Sequence, residues 1–472
     1  MMNQPAKQAV VSRRWLQPRR SALPVLAICF SLSSAYARSQ ERPTETASYE
    51  GIFDSYRQTK QFSGTALVVT GGRTVFEKNY GSAVQEWQIP VSADTKFRIG
   101  SMTKQFTAAL IVLLEEDGRL SLSDSVAKYV TDAPPSWKQI TLANLLGQTS
   151  GIPEFMAGRQ AAEWSRSARS HAEILTFVER GAIEFSPGTR YEYSNSNYEV
   201  LGAIIEKVTG RPYAEVLSER ILKPLGLSDT GVDTDEAIVM KHADEYRNTD
   251  SGFARARSGS MSVAWSAGGM YSTTHDLAKW EQALYTGTLL RVASRNRMTT
   301  PGLGSYGLGI EISQVDGQPV YRHGGSIDGF NSFMSFIPGK DTAVIVLANI
   351  EGTAAAGMGA QLDDAAMGKP VTLVNEHKAV PIATEELSHF VGRYSFGPNF
   401  SLVFAVSGNH LIAGSPGGDP PLPLIYEGLR NGHPTFFAKE VFAELEFIPD
   451  PSSGMSTVIL HQAGHNEIGH RQ

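Results

Sequence analysis

A serine and a lysine one helical turn apart carry the clearest chemistry in this sequence. They are Ser101 and Lys104, in the run Phe97-Arg98-Ile99-Gly100-Ser101-Met102-Thr103-Lys104. A serine hydroxyl is a weak nucleophile near neutral pH and needs a base beside it. A lysine taken out of water loses affinity for its proton, because desolvation disfavours the charged form. On a helix this spacing sets the two side chains on one face, where the helix N-terminus favours negative charge developing nearby. The spacing alone is weak evidence, since S-x-x-K arises about once or twice by chance in a chain of this length. Ser125-Val126-Ala127-Lys128 is a second copy.

The elements around the two copies separate them. Residues 94–99 read as an extended lead-in, and Gly100 allows a sharp turn. From Ser101 the pattern is helical, with Met102, Phe106, Ala109, Leu110, Leu113 and Leu114 on one stripe. Ala108, Ile111 and Val112 fill the opposite side, so the helix is expected to be buried all round, with Gly118 at its C-cap. The second copy lies between Leu122-Ser123-Asp124 and Pro134-Pro135, a polar-flanked setting in which Lys128 stays solvated.

Phe62 to Thr70 is a strand pattern that Gly71-Gly72 folds back onto Thr74-Val75-Phe76. Short helices and turns occupy 120–150, a helix 161–180, and Phe185-Ser186-Pro187-Gly188-Thr189 a turn. A helix is expected from about Glu199 to Thr209, closed by Gly210. The glycine turn Ala267-Gly268-Gly269-Met270 leads to a helix from Thr274. Glycine-rich strands are expected at 303–312 and 319–323, then strands at Asn331–Ile337 and Thr342–Asn349. Strands at both ends with helices between predict an α+β body: one antiparallel sheet flanked by helices, with an inserted helical lobe and sequence-distant strands side by side. Residues 367–386 read as a linker. From 387 to 472 short strands and tight turns predict a small all-β barrel or meander, with strands at Phe400–Val406, His410–Ala413, Ala443–Phe447 and Thr457–His461.

At 472 residues the chain has room for more than one domain, and its net charge of −6 gives no footprint for nucleic acid. Residues 1–37 read as a secretory signal. Arg13, Arg14, Arg19 and Arg20 precede the apolar stretch Leu23–Leu32, and Ala35-Tyr36-Ala37 fits a cleavage site. That stretch is too short to span a bilayer, so no stable membrane span is expected after cleavage, and the expected location is periplasmic or secreted. Cys29, the single cysteine, would leave with the signal. Disulfides and thiolate sites are then excluded.

Two further motifs complete a pattern: Tyr193-Ser194-Asn195 and His323-Gly324-Gly325. With Ser101-x-x-Lys104, and with Thr149-Ser150-Gly151-Ile152-Pro153, Phe185-Ser186-Pro187-Gly188 and Ala267-Gly268-Gly269-Met270-Tyr271-Ser272-Thr273, they stand in one order along residues 50–350. In this the chain resembles the serine β-lactamase and DD-peptidase family, in its class C-like branch with esterases and D-aminopeptidases. The resemblance implies a β-lactamase/transpeptidase-like fold and an acyl-enzyme on Ser101, with Lys104 helping to deprotonate it. Tyr193 would relay a proton, with a phenol pKa lowered by nearby donors. Asn195 would bond Lys104 and the substrate amide; a helix N-cap is the other reading of that residue. The backbone N–H groups of Ser101 and Ser326 would form the oxyanion hole. Gly324 and Gly325 suit a strand that substrate backbone approaches closely. The C-terminal domain resembles the lipocalin-like barrels attached to some relatives.

Two residues depart from the family's pattern. His323 stands where many penicillin-recognising relatives carry lysine, and a histidine is only partly charged near neutral pH. Gln148 replaces the histidine usual before Thr-Ser-Gly and suggests no role. No G-x-S-x-G elbow and no metal motif are present, no cofactor is implied, and His275, His461, His465 and His470 read as surface residues. The expected partner is a small-molecule or peptide substrate. Three readings stay open: β-lactam or DD-peptide hydrolysis, esterase or D-aminopeptidase chemistry on the same residues, and a slowly acylating sensor.

Overall fold

The computed structural model describes residues 44–472 apart from 157–162, 250–251, 258, 316, 398–399, 417–420, 451–453 and 463–464. The signal-like segment 1–37, with Cys29, lies outside the described residues. No helix among the described residues is long and apolar enough to cross a membrane.

A six-stranded antiparallel sheet forms the frame. Its strands are β1 (Gly64–Thr70), β2 (Arg73–Tyr80), β3 (Glu311–Val315), β4 (Gln318–Ile327), β5 (Phe330–Ile337) and β6 (Thr342–Ala348), in the order β3-β4-β5-β6-β1-β2. As expected, sequence-distant strands meet, with Gly64 opposite Ala348 and Thr70 opposite Thr342. Every residue of β5 and β6 is buried. That burial, with the apolar run of β6, reflects a sheet covered on both faces. On one face Leu67, Met334, Ile345 and Leu347 join the core of helices α1 (Thr103–Glu116) and α3 (Thr274–Tyr285). On the other, Val68, Phe333, Val344 and Val346 meet Tyr49, Ile52 and Tyr56 of the helix Thr44–Gln58. Leu362 and Ala366 of helix α4 (Ala354–Ala366) complete that layer.

Several expectations need correction. The helix α2 spans Asn195–Thr209 and begins four residues before the expected Glu199. The helix expected at 161–180 is His171–Glu179, started late by a Ser170–Glu173 capping box, with part of the expected span outside the described residues. The strand expected at 303–312 starts only at Glu311. Before it, Gly304 and Gly309 take φ of 65° and 75° and turn the chain. The strand at 319–323 runs on to Ile327, so His323, Gly324, Gly325 and Ser326 all lie within β4.

Beyond residue 391 eight antiparallel strands close into a barrel. They are β7 (Gly392–Ser395), β8 (Ser401–Ser407), β9 (His410–Gly414), β10 (Leu422–Arg430), β11 (His433–Ala438), β12 (Ala443–Asp450), β13 (Gly454–Gln462) and β14 (His465–Arg471). Each pairs with the next and β14 pairs with β7. Four of these strands, β7, β10, β11 and β14, were not read from the sequence. Closure removes sheet edges, and Tyr394, Phe404, Phe436 and Phe447 fill the interior. The barrel also shares the outer core of the body: Phe437 and Phe442 pack with the Tyr56 layer, and the Tyr56 and Phe442 rings are 4.8 Å apart.

Candidate active site

Ser101 sits in a single 3₁₀ turn, Gly100–Met102, that passes directly into α1. Gly100 has φ of 52°, and a Cβ there would lie 2.9 Å from the backbone nitrogen of Ser326. Only glycine satisfies both the turn and this approach. Gly325 is held as tightly, since a Cβ on it would lie 2.0 Å from the carbonyl oxygen of Ile99. The Ser332 hydroxyl donates to that oxygen at 2.9 Å and fastens β5 to the same turn. Together these contacts bring the Gly100 backbone, next to Ser101, against that of Ser326; Ser101 and Ser326 are the pair expected to cradle an oxyanion. Strand β3 pairs with β4 only as far as Arg322. Among the described residues no strand pairs with the β3-side edge of His323–Ile327.

Lys104 is fully buried. Its Nζ lies 3.0 Å from the Ser101 Oγ, 2.7 Å from the Asn195 Oδ1 and 2.8 Å from the Ala267 carbonyl oxygen. Both oxygens other than the serine's can only accept, so they take two amine hydrogens. The third tetrahedral position faces Ser101: a hydrogen in the ammonium, a lone pair in the neutral amine. Burial pulls the Lys104 pKa down to about 7, partly opposed by the carboxylates of Glu154, Glu199 and Glu311. Near neutral pH the lone pair is therefore available to receive the serine proton.

Tyr193 lies across the same space, its ring centroid 4.9 Å from the Lys104 Nζ. The nearby Ser101 hydroxyl pulls its pKa down, but burial outweighs that pull and raises it well above the ordinary value. The expected lowered phenol pKa is thus corrected: Tyr193 rests as a neutral hydroxyl, able to pass a proton on only as it receives one. Asn195 is the first residue of α2, and its side chain goes to Lys104 rather than to a cap. Its own N–H donates to the Glu154 Oε2 at 2.5 Å, which explains why α2 begins early without a side-chain N-cap.

His323 is 1% exposed. Its Nδ1 is 2.7 Å from the Gly324 carbonyl oxygen, and its Nε2 is 3.0 Å from the Tyr306 hydroxyl. A carbonyl only accepts, so Nδ1 carries a hydrogen, and the pair of contacts fits a neutral ring. Tyr306 in turn stands edge-on to the Tyr193 ring at 6.3 Å. On the reverse face of β4, Arg322 Nε bonds Asp363 Oδ2 at 2.9 Å, with both side chains buried. That pair ties the strand to α4, while desolvation lifts the Asp363 pKa to about 6 against the pull of Arg322.

Sequence reasoning missed Gln148, Glu154, Tyr306 and the Arg322–Asp363 pair. Gln148 is fully buried, and its Oε1 accepts from the Ser194 N–H at 3.1 Å and the Asn197 Nδ2 at 2.5 Å. It therefore anchors the Tyr193-Ser194-Asn195 segment. Its signal was its place beside Thr149-Ser150-Gly151. Tyr306 was signalled by standing among four glycines, Gly302, Gly304, Gly307 and Gly309. Beside this aromatic wall lies a cavity of about 590 Å³ lined by Tyr191, Glu311 and Ser313, with Asn466 and Glu467 from the barrel.

The class of protein that this fold and site define is a β-lactamase-fold serine hydrolase. The Beta-lactamase family profile matches residues 50–367, and the chain belongs to that family. The PbpX protein of Bacillus subtilis (strain 168), named for penicillin binding, is 32% identical over 322 residues, covering 68% of this chain and 79% of that one. The D-amino acid amidase of Ochrobactrum anthropi SV3 superposes with a TM-score of 0.62 at 26% identity, over 68% of this chain and 98% of that one. The octameric penicillin-binding protein homologue of Pyrococcus abyssi shares the fold over 90% of this chain and 99% of its own, with a TM-score of 0.64 at 23% identity.

Proposed function

We propose that this protein is an exported serine hydrolase that cleaves amide or ester bonds through an acyl-enzyme on Ser101. Lys104 takes the serine proton as Oγ attacks the carbonyl carbon. The backbone N–H groups of Ser101 and Ser326 hold the oxyanion, and the Tyr193 hydroxyl hands a proton to the leaving group as it receives one from the Lys104 side. Water then hydrolyses the ester, with the same groups in reverse. The observation that carries the reading is the Lys104 amine, fully buried, held by Asn195 and Ala267, and 3.0 Å from the Ser101 Oγ.

Within that chemistry, His323 supports amide and ester substrates without an obligatory carboxylate over efficient β-lactam hydrolysis. Its ring nitrogens are committed to Gly324 and Tyr306, so the site offers no fixed cation at that position. The kinship with a D-amino acid amidase points the same way. Assays with nitrocefin, short-chain p-nitrophenyl esters and D-amino-acid amides test this. The ester or amide is expected to turn over faster than nitrocefin, and the reverse order would overturn the preference. Export rests on the composition of residues 1–37 and would appear as a mature chain beginning at Arg38.

A further inference from the structure

A second cluster of ionisable side chains lies far along the chain from Ser101, on the outer wall of the barrel. His377 comes from the segment before the barrel, Glu427 from β10 and Glu444 from β12. The His377 ring stacks on Phe437, with centroids 3.7 Å apart and planes 6° from parallel, and its side chain is only 3% exposed. Its Nδ1 is 2.7 Å from Glu427 Oε1, and its Nε2 is 3.9 Å from Glu444 Oε1. One donor atom from each of the three residues lies within 4.8 Å of the other two.

Hydrogen bonding leaves this cluster unfinished. Glu427 Oε2 is buried with no hydrogen-bond partner, and the Arg430 guanidinium lies 3.9 Å from it. Arg430 binds the other oxygen of Glu444, Oε2, and leaves Oε1 toward the histidine. Glu446 adds a third carboxylate, contacted by the half-buried His433 and His461. His461, expected at the surface, is therefore built into this group. The carboxylates of Glu427, Glu444 and Glu446 thus crowd together around one guanidinium in a partly buried wall, and carboxylates taken out of water are costly unless cations meet them. The cluster borders a cavity of about 640 Å³ between the barrel and the body. Arg322 on that cavity is already paired with Asp363, and Lys369 and Asp364 there are of opposite sign.

We propose that His377, Glu427 and Glu444 bind one divalent cation of the zinc type, with water from the cavity in the fourth position. A nitrogen and two carboxylate oxygens are a donor set that suits zinc better than magnesium or calcium, which favour all-oxygen shells. Around a tetrahedral zinc with bonds of about 2.0–2.1 Å, neighbouring donors stand about 3.3 Å apart. Arg430 holds the Glu444 carboxylate in place from behind, the usual task of an outer partner in a metal site. The ion would tie the segment before the barrel to two barrel strands, and so is expected to act on stability rather than on turnover. No sequence motif announces it, because its ligands lie at 377, 427 and 444.

The test uses the full chain without an affinity tag, stripped by a chelator and dialysed against micromolar zinc or millimolar magnesium. The expected result is about one zinc per chain by metal analysis, a higher Tm with zinc, and at least about tenfold weaker zinc retention in His377→Gln and Glu427→Gln. Circular dichroism establishes that each variant is folded. The proposal fails if folded wild-type protein retains no zinc, if both variants retain it as well as wild type, or if magnesium binds equally. It also fails if His433→Gln abolishes binding while His377→Gln does not.

Discussion

The chain contains the same four-residue pattern twice, and only one copy is equipped for chemistry. At Ser101–Lys104 the amine is fully buried and its pKa falls to about 7. At Ser125–Lys128 the lysine side chain is 57% exposed and bonds Asp124 at 2.9 Å, and that carboxylate raises its pKa. Ser125 caps a short 3₁₀ turn by accepting from the Ala127 N–H, and its own hydroxyl donates to the Lys138 carbonyl. Spacing brings a hydroxyl and an amine together. Dehydration turns the amine into a base, and a pair of acceptors orients it toward the serine.

The largest contrast should appear on replacing the serines. Ser101→Ala is expected to abolish the covalent adduct that a fluorophosphonate leaves in intact-mass analysis, and Ser125→Ala to leave it unchanged; a surviving adduct in Ser101→Ala would reject the assignment.

Replacing the lysines sharpens the contrast. Lys104→Met should slow acylation at least about a hundredfold, whereas Lys128→Met should change it less than about twofold. Lys104 also opposes folding, because the unfolded chain holds that proton more tightly. The penalty grows as pH falls from the ordinary lysine range to about 7. Lys104→Met is therefore expected to raise Tm at pH 7 by several degrees, read by calorimetry, and a lowered Tm would contradict the burial argument.

A smaller effect separates the copies by pH. Acylation should rise with pH through about 7, as Lys104 loses its proton. Glu311→Gln removes a carboxylate that raises the Lys104 pKa, so the midpoint should move to lower pH. A profile flat from about pH 5.5 to 8.5 would count against Lys104 as the base. The smallest effect belongs to Asp124. Its pKa is held near 2 by Tyr129, Lys128 and the Ser121 N–H. Its stabilisation is present above the ordinary carboxylate range and is lost as pH falls toward 2. Asp124→Asn should reduce stability by no more than about 1 kcal/mol in urea unfolding.

Much of this was legible in the sequence because it rests on local patterns. The all-round apolar helix after Ser101, the hairpin at Gly71-Gly72 and the unbroken run Thr342–Asn349 each state their burial directly. The pairing of β1 with β6 followed from strands at the two ends of the body. What could not be read depends on partners distant in sequence. Asn195 starts α2 early because Glu154, forty-one residues before it, supplies the acceptor for its N–H. Burial, not donor proximity, decides the Tyr193 pKa. The glycines at 302–309 looked like strand residues but serve to turn the chain and present Tyr306 to His323. The four unread barrel strands carry prolines, charges and glycines that blur alternation, among them Pro423, Gly428, Pro434 and Gly469.

The pairing of Gly64–Thr70 with Thr342–Ala348 has a consequence for how the molecule is made. On a ribosome or a translocation channel, the early hairpin emerges with one side of its hydrogen-bonding ladder unmet. It waits through more than two hundred and seventy residues for the strand that completes it. Closing so long a loop is entropically slow, so the helix that carries Lys104 stays uncovered until the strand Thr342–Ala348 has arrived. Chains cut short before residue 342 should therefore accumulate as sticky, protease-sensitive fragments rather than as smaller enzymes.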